Sequence, residues 1–221
     1  MDFEQARFNM VEQQIRPWEV LDQDVLDLLF TVKREEFVPA AYRAIAFTDM
    51  EIPLGHGQAM MAPKIEARTL QEIAPKAGES VLEIGTGSGY FTALLAKSAQ
   101  RVTTIEYFDD LKLEAARCLG AAGITNVTLK TGDAAQSADA WLDATEKFDV
   151  IVLTGSVPMV PEAYLQRLNI AGRFFAVVGD APVMKATLIT KTAENQFASA
   201  ELFETVVPPL INAAQPSRFD F

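Results

Sequence analysis

The chain is poor in the residues that build covalent frameworks and metal centres. It has one cysteine, Cys118, and one histidine, His56, in 221 residues. A single cysteine excludes an internal disulfide framework and suits a reducing compartment; Cys118 falls in the apolar pattern of a helix, where packing accounts for it. One histidine, one cysteine and dispersed acids make no ligand set, so no metal is expected. Positive charge is also scarce, with 19 Lys and Arg against 30 Asp and Glu and a net charge of −11. That balance is a poor match for nucleic acid or an anionic membrane, and neither is expected as a partner. No apolar run is long enough to span a bilayer. The first residues, Met1-Asp2-Phe3-Glu4-Gln5, show neither the basic nor the apolar part of a secretory signal. A soluble, cytoplasmic protein is expected.

What the chain has instead is an ample core, with 49% hydrophobic residues, and one informative glycine-rich stretch, Ser80-Val81-Leu82-Glu83-Ile84-Gly85-Thr86-Gly87-Ser88-Gly89-Tyr90-Phe91. A short apolar run stops at a turn that opens into an amphipathic segment, Phe91 to Ala99. This is the strand–loop–helix order of a nucleotide-type cofactor site. Gly85 suits a tight turn, and Gly87 and Gly89 let a ligand approach bare backbone. The dinucleotide fingerprint needs Gly-x-Gly-x-x-Gly, and here the third glycine comes one residue early. An acid, Glu83, stands two positions before the first glycine. A pyrophosphate gains nothing from it, whereas a cationic amino-acid group is oriented by a carboxylate directly or through water. The pattern Glu-x-Gly-x-Gly-x-Gly resembles motif I of the Rossmann-like methyltransferases that use S-adenosylmethionine.

Before this stretch, residues 1–76 read as a helical N-terminal extension packed on a second unit, 77–221. Phe8, Val11 and Ile15 share a helical face over Phe3 to Ile15, closed by Pro17. Asp22 suits the N-cap of the next helix, and Pro63 the first turn of a third, Lys64 to Ala74. Between them, residues 49–58 are too rich in Gly and Pro for regular structure. After motif I, strands and helices alternate. Arg101–Ile105 is a β-branched strand ending at Glu106, 21 residues beyond Gly85. An acid at that spacing meets ribose hydroxyls. Phe108 to Ala122 reads as a helix stopped by Gly123, and Asn126 to Lys130 as a strand. Asp133 follows, able to accept from an adenine amino group or to cap a helix. Phe148–Leu153 is a near-continuous apolar strand, as in the middle of a parallel sheet, and runs into Thr154-Gly155-Ser156. Pro161 to Leu168 reads as a short helix and Arg173 to Gly179 as a strand. Lys185–Lys191 and Glu201–Val207, with Asn195 in the turn, read as an antiparallel edge hairpin.

The chain resembles the protein-L-isoaspartate O-methyltransferase family over nearly its whole length. Gln13-Gln14-Ile15, Arg34-Glu35-Glu36-Phe37-Val38-Pro39 with Tyr42 and Asp49, Pro53-Leu54-Gly55-His56-Gly57-Gln58, Pro63, motif I and Val207-Pro208-Pro209-Leu210 carry the resemblance. It implies an α/β fold: a Rossmann-like class I methyltransferase sheet, mostly parallel, with an antiparallel C-terminal edge hairpin and the helical extension. It also implies S-adenosyl-L-methionine as cofactor and isoaspartyl residues of damaged proteins or peptides as methyl acceptors. Carried over, Glu83, Gly85, Thr86, Gly87 and Ser88 hold the methionine part and sulfonium region. Glu106 takes the ribose, Tyr107 flanks the adenine, and Asp133 sits near its amino group.

Where the family has Thr-Ile-Ser-Gln-Pro, this chain has Ala59-Met60-Met61-Ala62-Pro63, which replaces three polar side chains with an apolar floor. Leu153-Thr154-Gly155-Ser156-Val157-Pro158 stands where the family has a small, alanine-rich run. A carboxylate nucleophile is ionised at neutral pH and needs positioning and desolvation, while a phenol or alcohol needs a base. The candidate catalytic residues are His56 as a base, Met61 as pocket wall, and Ser156, with Thr154, as a hydroxyl replacing the missing serine. Two other readings stand beside isoaspartyl methylation: transfer to a different small acceptor, and cofactor binding without catalysis. An oxidoreductase is the weakest, since its third glycine is misplaced and fold alone decides no function.

Overall fold

The N-terminal segment forms short helices where apolar residues recur at helical spacing. Helix α1 (Phe3–Met10) begins at Asp2, whose carboxylate accepts from the Gln5 amide across 3.1 Å, and continues as one wider π-helical turn through Val11–Ile15. Met10, Val11 and Ile15 are buried along it. Pro17 lies in a 3₁₀ turn, Arg16–Trp18, that ends the segment. Helix α2 (Gln23–Thr31) is capped by Asp22, which accepts from the amides of Asp24 and Val25. The computed structural model describes residues 2–134, 142, 143 and 145–216.

The 49–58 region differs from the irregular loop expected. Ile52–Gly55 (β1) and Gln58–Met60 (β2) form an antiparallel hairpin in which Ile52 pairs with Met60. The Gly and Pro residues mark its turn rather than the absence of strands: His56 and Gly57 both have positive φ, 52° and 71°, as a two-residue primed turn requires. Helix α3 (Pro63–Ile73) follows, with Pro63 at its first position.

From Ser80 the strands and helices are β3 (Ser80–Ile84), α4 (Tyr90–Ser98), β4 (Arg101–Glu106), α5 (Asp109–Ala121) and β5 (Val127–Thr131). They continue as β6 (Phe148–Val157), α6 (Glu162–Leu165), β7 (Leu168–Asp180), β8 (Val183–Ala193) and β9 (Gln196–Glu204). One seven-stranded sheet has the order β5-β4-β3-β6-β7-β8-β9, parallel as far as β7 and antiparallel over the last two strands. The edge hairpin turns at Asn195 (φ 60°). Its second arm begins five residues earlier than expected and ends at Glu204, leaving 205–214 free to cross the sheet. Ser156 and Pro209 form an isolated bridge there.

Strand parity assigns the core. On β3, Leu82 and Ile84 pack with Ile105, Ile151, Leu153 and Phe174 on the face covered by Tyr164 and Leu165. Val81 points the other way, into a cluster shared with Val102, Val150 and Phe175 and with residues of α1 to α5. The N-terminal helices therefore bury their apolar stripes in the same core as the sheet. Among the described residues no helix is long and apolar enough to cross a membrane.

Candidate active site

The glycine turn lies at the C-terminal end of β3, where ligands meet open α/β sheets. Gly85 has φ 97°, and a Cβ there would stand 2.3 Å from Thr154 Oγ1. Both facts require glycine. Thr154 donates its hydroxyl to the carbonyls of Ile84 (2.9 Å) and Gly85 (2.7 Å), which fastens β6 to the turn.

A cleft opens above this turn. Gly85, Gly87, Glu106, Tyr107, Phe108, Leu111, Gly132 and Asp133 line one side, and Leu54, Gln58, Ala59, Met61, Thr154 and Leu210 the other. Glu106 is buried, and its two carboxylate oxygens accept from the Gly87 amide (2.8 Å) and the Phe108 amide (3.1 Å). Those donors leave further lone pairs toward the cleft, an arrangement suited to a diol. Tyr107 is exposed at the rim, edge-on to Phe108 at 5.0 Å. Asp133 accepts from the Asn212 side chain across 2.6 Å, so the C-terminal segment helps place it.

Glu83 lies under the turn and does not line the cleft. By strand parity it points with Val81 toward α4, where one carboxylate oxygen accepts from Thr92 (2.5 Å) and Thr104 (2.7 Å). Its other oxygen is buried without a partner, and burial pushes its pKa up to about 8, against the pull of the two threonines. Thr86 shares this network through Thr104, at 2.6 Å. A side chamber next to the cleft, lined by Ala59, Met60, Met61, Gly85, Thr86, Gly87, Ser88 and Thr154, is instead reached by Glu66 of α3.

The three candidate catalytic side chains separate. Met61 lines both cleft and chamber, and its carbonyl accepts from Arg34 across 2.8 Å. His56 sits at the hairpin tip, outside the cleft lining. Its ring stacks on Phe108 (centroids 4.1 Å apart, planes 8° apart), and Nε2 meets Asp110 at 2.8 Å. It joins the hairpin to the start of α5 and does not line the cleft, so its placement lends the expectation of a base no support. Ser156 is likewise absent from the cleft lining. Its hydroxyl is buried and donates to the Val207 carbonyl across 3.0 Å, while its backbone exchanges bonds with Pro208 and Leu210. The register of β6 is irregular between Val152 and Ser156, so the two hydroxyls diverge although they are two residues apart: Ser156 is taken up by the C-terminal segment and Thr154 lines the cleft.

The whole arrangement has relatives. Residues 5–215 match the family model described as Protein-L-isoaspartate(D-aspartate) O-methyltransferase. A curated Pelobacter propionicus protein named Protein-L-isoaspartate O-methyltransferase 1 is 35% identical over 96% of this chain and 98% of its own length. This chain belongs to the protein-L-isoaspartate O-methyltransferase family. A Rhodopseudomonas palustris protein of the same name is 37% identical over 95% of this chain and 84% of its own. In fold, the chain is similar to a Plasmodium falciparum protein-L-isoaspartate O-methyltransferase solved with S-adenosyl-L-homocysteine. The TM-score is 0.80 at 20% identity, over 96% of this chain and 99% of that one.

Within the family frame, three groups of contributors escaped the sequence reading. Leu54 and Gln58 reach the cleft because 52–60 is a hairpin. Pro208, Leu210 and Ile211 close it because the edge hairpin ends early. Glu66 lies in α3 on the buried face it shares with Leu70 and Ile73. Its signal was the buried Arg34, which lies in the Arg34–Pro39 family motif and needed a counter-charge.

Proposed function

We propose that this family member transfers the methyl group of S-adenosylmethionine to the side-chain carboxylate of isoaspartyl residues in damaged proteins and peptides. The observation that carries the reading is the cleft itself. It joins a glycine turn, a strand-end acid and a second acid on one side to an apolar wall of Leu54, Met61 and Leu210 on the other. Support for the cofactor comes from the fit of these groups. Glu106 would take the ribose hydroxyls, Tyr107 and Asp133 the adenine, and the turn from Gly85 to Ser88 the amino-acid end. A cytoplasmic location is part of the proposal, supported by the single, buried Cys118.

The cofactor supplies a methyl group on a sulfonium, which an in-line nucleophile displaces. The protein's part is to bind, orient and exclude water. Glu106 and Asp133 are engaged as acceptors, by the Gly87 and Phe108 amides and by Asn212. His56 is engaged outside the cleft. None of these is placed as a base, and a carboxylate acceptor, already ionised, requires none. Leu54, Met61 and Leu210 strip water from that carboxylate, which raises its nucleophilicity. The hydroxyl of Thr154 lies in the floor, but its one proton is given to the Ile84 and Gly85 carbonyls, so it offers lone pairs there and does not replace the family's serine as a donor.

The test is transfer of labelled methyl from S-adenosylmethionine to an isoaspartyl peptide, beside the same peptide with ordinary aspartate. Binding of S-adenosylhomocysteine is titrated in parallel. Base-labile label on the isoaspartyl peptide alone is expected. Binding without transfer would refute the acceptor assignment, and absence of binding would refute the cofactor assignment.

A further inference from the structure

Behind the glycine turn lies a group of buried ionisable side chains that the methyl-transfer reading does not use. Arg7 pairs with Glu35 and Arg34 with Glu66, all four side chains nine-tenths or more buried. Each of the three nitrogens of Arg34 is engaged. Its Nε donates to the Ala46 carbonyl (2.9 Å), one terminal nitrogen to the Met61 carbonyl (2.8 Å) and the other to Glu66. Its guanidinium lies 4.9 Å from the centre of the Tyr90 ring. Glu83 lies within electrostatic reach of Glu66, and Tyr90 within reach of Arg7, Glu35, Arg34 and Glu66.

The charges in this group do not balance. Four buried carboxyls, those of Glu35, Glu66, Glu83 and, within electrostatic reach of Glu83, Glu106, face two guanidiniums, those of Arg7 and Arg34, and Arg7 is also shared with the exposed Glu4. A buried carboxylate left without a counter-charge holds a proton instead. Burial accordingly raises Glu66 to about 7, in spite of Arg34, and Glu83 to about 8. The group therefore has room for a further cation.

The geometry names where that cation would enter. Glu66 spends one oxygen, Oε2, on Arg34, and it lines the side chamber together with Thr86, Ser88 and Thr154. The chamber measures about 40 Å³, enough for one small polar group. It shares Ala59, Met61, Gly85, Gly87 and Thr154 with the main cleft, so a ligand in the cleft can extend into it. Glu83, the acid of the glycine motif, is walled off beneath Thr92 and Thr104.

We propose that Glu66, rather than Glu83, directly receives the α-ammonium group of the cofactor's amino-acid end. This rests on the cofactor reading above and assigns one contact within it. Arg34 acts as a positioning residue that holds the Glu66 carboxylate at the chamber wall. Glu83 acts behind it as part of the charge reserve.

The experiment compares two probes on the full chain by calorimetric titration. S-adenosylhomocysteine carries the ammonium, and 5′-methylthioadenosine lacks the whole amino-acid end. Glu66→Gln should weaken S-adenosylhomocysteine on the order of 10- to 100-fold, the range for losing a hydrogen bond to a charged group, while binding of 5′-methylthioadenosine stays within about twofold. Glu66→Asp keeps the charge opposite Arg34 and should fall between, which covers the case in which the glutamine variant does not fold. Wild-type affinity for S-adenosylhomocysteine in either folded variant, or equal loss for both probes, would overturn the assignment while leaving the cofactor reading intact. If the wild-type protein binds neither probe, the cofactor reading itself falls, and the assignment with it.

Discussion

The hydroxyl of Thr154 stands 2.7 Å from the carbonyl oxygen of Gly85 and occupies the space a side chain at residue 85 would need. The turn and the neighbouring strand are thus fitted to each other, and glycine is required twice, for φ and for space. Gly85→Ala should destabilise the fold on the order of 2 kcal/mol and abolish measurable S-adenosylhomocysteine binding. Adding Thr154→Ala removes the Oγ1 contact but not the backbone strain. The double variant should recover part of the melting temperature, and no recovery would place the whole cost in the backbone.

Glu106 orders two backbone amides at the cleft as well as facing it. Glu106→Ala should weaken S-adenosylhomocysteine binding by about 1.5–3 kcal/mol, the scale of a hydrogen bond to a charged group. It should also lower the melting temperature, because the Gly87 and Phe108 amides lose their acceptor. Unchanged affinity in a folded variant would show that the ribose lies elsewhere.

The stack of His56 on Phe108 ties the hairpin tip to the start of α5, at the edge of the cleft. Leu54, Gln58 and Ala59 of the same hairpin form part of the cleft wall. His56→Gln should therefore leave the maximal rate of methyl transfer within about twofold while raising the cofactor KM a few-fold, since exposed contacts of this kind are weak. A collapse of the rate with unchanged KM would return His56 to the role of base.

The parallel sheet, the cofactor turn and Glu106 were legible because each leaves a local mark: continuous apolar runs, closely spaced glycines, and an acid at a set distance from the first of them. The hairpin at 52–60 was harder to read, since Gly and Pro announce a turn without saying what flanks it. The alternation of Ile52 and Leu54, completed by Met60, was the available clue. The direction of Glu83 was implicit in strand parity, because Leu82 and Ile84 claim one face and leave Glu83 with Val81 on the other. Parity on β6 would put Thr154 and Ser156 on one face, and it is the irregular register between Val152 and Ser156, which no local pattern announces, that separates them. The pairing of Arg34 with Glu66 was not legible, for it joins two helical segments 32 residues apart. Helical spacing sets Glu66 on the face of Leu70 and Ile73, apart from the half-buried Lys64, Arg68 and Glu72, but it does not name Arg34 as the partner.

Glu83 also makes stability depend on pH. The folded protein holds its proton up to about pH 8, whereas the unfolded chain releases it near the ordinary value of 4.5. Between those limits the native state binds more protons than the unfolded state, so stability falls as pH rises. The loss is complete above about pH 8 and absent below about pH 4.5, and is on the order of 5 kcal/mol. Glu66, raised to about 7, adds to the slope over a narrower window. Glu83→Gln keeps a side-chain oxygen to accept from Thr92 and Thr104 and removes the titrating group. Its melting temperature should fall less steeply than that of the wild type between pH 5 and pH 8, with the two curves diverging most at the alkaline end. Parallel curves across that range would mean that Glu83 is already ionised in the native protein, and that a cation not supplied by Arg7 or Arg34 balances it.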